Sequence, residues 1–366
     1  MTTSLFRTTA LLPAGLCALA LPTLATAQSA GPEVDFYGHL NLGVISVDNG
    51  ATSNTSITDN DNSNSRIGLI YKQGTGNGGE FRLHFETALG FTGSSSISDT
   101  NDSFDQEYRR TEIRKFEAIY RSPTWGTLSF GQGSIATDGL AEADFSGTSV
   151  IAYSSLQDQA GNQEFQLASG GGSGTTVGDG FNAFDGGRRF RIHYETPQYN
   201  GFWLIVSAGE EVLTSGNDDE FYDIGLKYDK DYGAYHVAGR VGYSIRDSDE
   251  ELLLGSFAVL HKATGLNLAV ATGRQQEGDD SYYYIKGGIK RDWIAAGETR
   301  ITLDYYSGED FAVTGSESES VGLAVVQKID SINTEVYASY RTFSLDGTGA
   351  DLLDQDVFFV GARWRF

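Results

Sequence analysis

The 366-residue chain carries 49 acidic against 26 basic side chains, a formal net charge of -23 at pH 7, with 39% apolar residues, 46 Gly and only 5 Pro. Such acidity argues against nucleic acid as a partner, while 12% aromatic content and sustained period-2 patterning argue against a disordered acidic chain. The lone cysteine, Cys17, falls in the leader described next, so disulfides contribute nothing to the mature protein.

Residues 1–27 read as a secretory signal peptide. Arg7 supplies the positive n-region, Leu11 to Leu24 the apolar stretch, and Ala25-Thr26-Ala27 a small-residue cleavage site. A membrane anchor is disfavoured because Pro13 and Pro22 flank a run too short to span, and no other segment offers about 18 consecutive apolar residues. Leu16 stands where a lipoprotein cysteine needs a small neighbour, which argues against lipidation.

Residues 28–366 are expected to form one all-β domain, a transmembrane antiparallel β-barrel. Sixteen alternating segments separated by turn residues are predicted near 33–47, 65–72, 79–91, 109–121, 125–132, 188–196, 201–209, 220–229, 232–246, 252–261, 265–275, 281–291, 298–307, 320–329, 332–343 and 355–366. Most have the length a tilted membrane strand needs. In 80–91 the charged Glu80, Arg82, His84 and Glu86 oppose Phe81, Leu83 and Phe85, and in 189–195 Arg189, Arg191, His193 and Glu195 oppose Phe190, Ile192 and Tyr194. A charged face of that kind is too costly against lipid, so it must line water. The chain carries 19 Tyr and 21 Phe, many near strand ends, as at Tyr71, Trp125, Trp203, Trp293 and Trp364, which fits two interfacial aromatic girdles. Segment 109–121 breaks the pattern, since Lys115 and Glu117 alternate with Arg114 and Phe116; a bulge or a subunit contact would explain it.

Long and short connections alternate, so long loops share one rim and tight turns the other, unlike a soluble sandwich. The eight long connections hold 32 of the 49 acids and no Lys or Arg. That anionic rim suits divalent cations shared with lipopolysaccharide, or a simpler cation-attracting and solubilising role. The longest connection, 133–187, has apolar residues of its own in Ile135, Leu140, Phe145, Ile151, Leu156 and Phe165. The lumen is the only large surface left to cover them, so 135–167 is expected to fold inward and narrow the channel, with the glycine-rich 169–187 as a flexible return.

Several pieces in order along the chain resemble the general diffusion porins of the Gram-negative outer membrane, alphaproteobacterial members especially. They are Asp35-Phe36-Tyr37-Gly38, Ser65-Arg66-Ile67-Gly68, Trp125-Gly126-Thr127-Leu128-Ser129-Phe130-Gly131-Gln132-Gly133, Tyr194-Glu195-Thr196-Pro197 with Gly201-Phe202, and the terminal Gly361-Ala362-Arg363-Trp364-Arg365-Phe366. The resemblance implies a sixteen-stranded homotrimer in the outer membrane, its third loop folded into the lumen as a constriction, passing small hydrophilic solutes and ions without enzymatic activity. It further implies loop acids at Asp138, Glu142, Asp144 and Asp158 facing wall bases at Arg66, Arg82, Arg114, Arg189 and Arg191, with Trp364 and Phe366 as a C-terminal assembly signal. Arg66 matches the family's wall position best and the other bases follow by strand parity. The long loop lacks the Pro-Glu-Phe-Gly-Gly turn of enterobacterial members, so its path does not carry over. No cofactor is required, although some relatives bind calcium among loop acids and the spacing of Asp138, Glu142 and Asp144 permits it.

Loop acids favour cations at the mouth and wall arginines favour anions inside, which sums to an expected weak cation preference. Three rivals remain open. A sugar-selective channel would use Tyr282, Tyr284 and Tyr306 as a stacking track, an outer-membrane enzyme would have to recruit the scattered histidines, and a secreted adhesive module would be soluble without detergent.

Overall fold

A computed structural model describes residues 31–247 and 250–366; the signal peptide expected at 1–27 lies outside them. The strands are β1 (Glu33–Asp48), β2 (Ser53–Asp59), β3 (Arg66–Gly74), β4 (Glu80–Ala88), β5 (Ile113–Ser122), β6 (Gly126–Ser134), β7 (Glu164–Gln166), β8 (Gly172–Thr176), β9 (Arg188–Glu195), β10 (Phe202–Glu210), β11 (Glu220–Tyr232), β12 (Tyr235–Arg246), β13 (Glu250–His261), β14 (Leu266–Gln275), β15 (Ser281–Ile294), β16 (Gly297–Glu309), β17 (Glu317–Ile329), β18 (Thr334–Asp346) and β19 (Gln355–Arg365). All but β7 and β8 belong to one antiparallel sheet, which closes because β1 pairs with β19 on one side and with β2 and β3 on the other. Closure leaves no free edge, the condition for backbone in hydrocarbon.

There are sixteen wall positions, since β2 and β3 share one. The upper half of β1, Leu42 to Asp48, pairs with β2, and its lower half, Glu33 to His39, pairs with β3. Between them the chain leaves the wall at 60–65. The connection between the first two predicted segments holds a further strand, Ser53–Asp59, which keeps the period of 2, with Ile57 facing out and Thr58 buried.

Alternation holds around the wall. On β19 Phe358, Val360 and Trp364 are exposed while Val357 and Phe359 are fully buried, as period 2 demands. β5 resolves its irregular sequence with a bulge: Glu86 of β4 faces Lys115 whereas Thr87 faces Ile113, leaving Arg114 as the extra residue. Arg114 and Lys115 therefore both turn inward, and Phe116, 68% exposed, returns to the outer face. Residues 110–112 form a short helical turn, so the strand starts later than predicted.

The long 133–187 segment is hydrogen-bonded to β10, β13, β15 and β16. The amides of Ala136 and Ala143 donate to Ser207 and Ser256 at 2.7 and 2.9 Å, Lys286 and Arg300 donate to the carbonyls of Ala152 and Gly147 at 2.8 Å each, and Tyr306 donates to that of Asn182 at 2.8 Å. Its apolar residues, among them Ile151, Leu156 and Phe165, join Ile45, Val357 and Phe359 in the main hydrophobic cluster. The return half is not the flexible tail its glycines suggested. Val177–Gly180 form a helical turn capped by Thr176 and Asp179, and Phe181 packs between Tyr306 and Phe343 at 5.3 and 5.0 Å between ring centres. The longest exposed run in the segment is 168–172, and burying Phe181 and Phe184 repays the ordering of much of the rest.

Candidate functional site

With the long segment against β10–β19, open space remains along β3–β6 and β9, as three adjoining cavities. The upper one, about 330 Å³, lies among Glu112, Arg114, Arg188, Arg189 and Glu211. Arg114 and Arg188 also line the middle cavity of about 370 Å³, where Asp61, Asp138, Glu142, Asp158 and Asp185 oppose Arg66, Arg114 and Arg188. Asp138 then borders the lower cavity, about 670 Å³, lined by Arg82, Lys115, Arg121, Arg191 and Lys227 with Glu117 and Glu195.

Glu86 organises the basic side of the middle cavity. It accepts from Arg114 at 2.8 Å and from Tyr37 at 2.7 Å, and lies 3.6 Å from Arg66. Arg66 and Arg114 also share Asn64, whose side-chain oxygen accepts from them at 2.8 and 3.0 Å. One carboxylate among two guanidiniums leaves positive charge facing the cavity, and the bonds hold both forks in place.

The acidic side has few partners. Asp138 lies 4.0 Å from Arg188. Asp185 accepts from the amides of Gly139 and Ala141 at 2.7 and 2.9 Å, which clamps the return of the segment onto its start. Asp158 accepts from Tyr153 and Asp61 from the Ser95 amide at 2.9 Å. Each carboxylate is partly open to the cavity and enclosed elsewhere. Burial, with Asp61's charge beside it, pushes Asp158 up to about 7, and burial with Asp138's charge does the same for Asp185. Burial raises Asp61 too, and raises Glu142 well above the usual carboxylate range, aided by Asp185 and Asp138.

Of the nine residues expected at a constriction, Asp138, Glu142, Asp158, Arg66 and Arg114 are brought together around the middle cavity. Arg82 and Arg191 line the lower cavity, where Arg82 is ion-paired with Glu80 and buried Arg191 donates to Glu117 at 2.6 Å. Arg189 sits higher, 3.4 Å from Glu211 and with its guanidinium 4.3 Å from the Phe221 ring centre. Asp144 is elsewhere: it lies 3.1 Å from Lys286 on β15 and accepts from the Ser146 amide at 2.8 Å. The calcium set of Asp138, Glu142 and Asp144 is therefore not assembled, since Lys286 already neutralises Asp144, and among the described residues no group of three or more His, Cys, Asp or Glu is arranged to hold a metal ion.

Asp61, Asp185 and Arg188 were missed. Asp185 was hidden in the glycine-rich return, Asp61 in a loop distant in sequence, and Arg188 one residue before the alternation that selected Arg189 and Arg191. Tyr282, Tyr284 and Tyr306, the candidate sugar track, are buried beneath the long segment, with Tyr282 and Tyr306 stacked at 5.6 Å. They present no aromatic surface to a solute.

Residues 14–348 match the model of the Gram-negative porin family. The chain belongs to that family. It is an outer-membrane diffusion channel of a Gram-negative bacterium. Solved outer-membrane protein structures share the fold. The anion-selective porin from Comamonas acidovorans aligns with TM-score 0.60 at 14% identity over 92% of this porin and 100% of its own chain. Salmonella typhi OmpF, in complex with daunomycin, gives 0.57 at 11% over 91% and 97%. The trimer form of OmpT from Vibrio cholerae gives 0.54 at 15% over 92% and 100%. No curated protein matches the sequence.

Proposed function

We propose that this porin passes small hydrophilic solutes and ions by passive diffusion along the three connected cavities, with the 133–187 segment as the constriction. The observation that carries the reading is the middle cavity, where Asp138, Glu142, Asp158, Asp61 and Asp185 face Arg66, Arg114 and Arg188 across about 370 Å³. Taking an ion from water into a medium like hydrocarbon costs on the order of 20 kcal/mol, so a continuous wet path removes almost the whole barrier without an energy source. Opposed charges across the middle cavity orient dipolar solutes and filter by size and weakly by charge.

Ion preference is weak and cationic near neutral pH. The acidic loops raise the cation concentration at the mouth, and the bases of the lower cavity oppose them. Acidification protonates Asp158 and Asp185, so the preference moves toward anions as pH falls through about 7. The porin works as a homotrimer in contact with outer-membrane lipid and lipopolysaccharide, a reading supported by the neighbour solved as a trimer.

Planar-bilayer recording of the purified mature protein tests this. Stable conductance is expected, with a reversal potential across a KCl gradient favouring potassium at pH 8 and moving toward chloride at pH 5. A silent bilayer would refute the channel, and chloride preference at pH 8 would refute the selectivity.

A further inference from the structure

Charge is separated along the path as well as across it. The eight long connections, which lie on the extracellular side, hold 32 acids and no base, whereas the other 17 acids share residues 28–366 with 25 bases. The same reversal occurs inside the barrel. Each base of the upper and middle cavities has a carboxylate within ion-pair distance: Glu86 for Arg66 and Arg114, Asp138 for Arg188, and Glu211 for Arg189. Among the described residues, the middle-cavity acids Asp61, Glu142, Asp158 and Asp185 have no base that close, so the surplus there is negative.

The lower cavity has the opposite surplus. Arg82 and Arg191 are ion-paired with Glu80 and Glu117. Among the described residues, the side chains of Lys115, Arg121 and Lys227 make no hydrogen bond or ion pair, against one such acid, Glu195. Lys115 and Arg121 lie six residues apart on β5, about 20 Å at ~3.3 Å per residue, so the positive charge forms a zone with length.

Each zone fills with its counter-ion, cations from the mouth to the middle cavity and anions below. Spheres of 370 and 670 Å³ would be only about 5 Å in radius, within the Debye length of about 10 Å at 0.1 M salt, so wall charge governs the whole cross-section. With the extracellular side positive, cations leave the upper zone downward and anions leave the lower zone upward. Both accumulate where Asp138 borders the two cavities. Reversing the field draws both away and depletes that junction.

We propose that this porin rectifies ion flow, carrying more current with the extracellular side positive than negative, because an acidic zone and a basic zone lie in series along one path. The property rests on the channel reading and goes beyond it. An open pore with a symmetric current–voltage curve sinks rectification and leaves the channel standing, whereas a silent bilayer sinks both.

The test is the instantaneous current–voltage curve of single insertions in a planar bilayer at pH 8. Residues 28–366 contain no cysteine, so biotin on Ser169→Cys, in the exposed 168–172 run, marks the extracellular face when streptavidin enters one chamber. In 0.1 M KCl the current with that face at +100 mV should exceed the current at -100 mV at least about twofold, and in 1 M KCl, where the Debye length falls to about 3 Å, the ratio should shrink. Combining Lys115→Gln, Arg121→Gln and Lys227→Gln should bring the ratio close to one. Should that variant fail to fold, acidifying the extracellular chamber to pH 5 supplies the check on the parent pore: Asp158 and Asp185, each held near 7, lose their charge and the ratio falls. A symmetric curve in 0.1 M KCl, a larger current with the extracellular side negative, a ratio indifferent to salt, or a ratio unmoved by both the triple variant and the acid would overturn the proposal.

Discussion

Lys286 is the tether whose removal should most clearly free the 133–187 segment. Its ammonium, 1% exposed, lies 3.1 Å from Asp144 and donates to the Ala152 carbonyl at 2.8 Å, joining β15 to two points of the segment. Lys286→Met keeps most of the side-chain volume and leaves an enclosed carboxylate and a carbonyl without their donor. Breaking one side of a buried pair costs roughly 3–5 kcal/mol, and since Asp144 still accepts from Ser146 through its amide and hydroxyl at 2.8 and 2.7 Å, the lower end, about 3 kcal/mol, applies. The wall ladder does not depend on this contact, so the cost falls on attachment of the segment and raises its detached population about 100-fold. Hydrogen exchange of amides in 144–152 should accelerate by that factor, and open-channel current noise should rise. Lys286→Met with Asp144→Asn should recover much of the loss, because no unpaired charge is left. Parent-like exchange in the single variant, or a double variant no better than the single, would refute the argument. Although burial acts to raise it, Lys286 and Ser146 hold Asp144 below its ordinary 3.8, so the tether's contribution is complete above about 4 and is lost only as pH falls through that lowered value. Between pH 5 and 8 it should not vary.

Asp158 has the opposite sign. Its folded value near 7 lies above the unfolded 3.8, so its contribution to stability is full below about 4 and lost as pH rises through 7. Exchange protection around 153–158, corrected for intrinsic rates, should be higher at pH 5 than at pH 8, and Asp158→Asn should flatten that dependence and reduce the pH shift in reversal potential. Phe181→Ala should cost about 3–5 kcal/mol by the cavity it leaves beside Tyr306 and Phe343, read as faster exchange across 177–185 with the barrel's thermal midpoint nearly unchanged. Phe366 exchanges backbone hydrogen bonds with Gly38 at 3.0 and 3.1 Å and stacks on Phe36 at 5.8 Å, so Phe366→Ala should slow barrel closure in refolding into vesicles; unchanged kinetics would count against an assembly role.

Much of the wall was legible because period-2 alternation is a local property. A strand such as Arg188–Glu195 needs only its own residues to declare which side chains meet lipid. Where the signal failed, a non-local pairing was responsible. Ser53–Asp59 forms a strand because β1 offers it an edge, and the bulge at Arg114 follows from a two-against-one register with β4 that no window of β5 contains. The candidate site divides similarly. Strand parity turned Arg82 and Arg191 inward, and the family resemblance placed Arg66 beside them, without saying which carboxylates would meet them.

By itself, then, the sequence determined a barrel with an acidic rim, a wet face and one connection too long and too apolar to lie in water, since side-chain alternation and composition are properties of neighbouring residues. Tertiary structure alone decided where that connection lies. Because Lys286 takes Asp144, Tyr306 with Phe343 takes Phe181, and the Gly139 and Ala141 amides hold Asp185 in place, the acids Asp61, Asp138, Glu142, Asp158 and Asp185 come to face Arg66, Arg114 and Arg188. Their proximity is the residue of packing between segments far apart in the chain, and no local pattern encodes it.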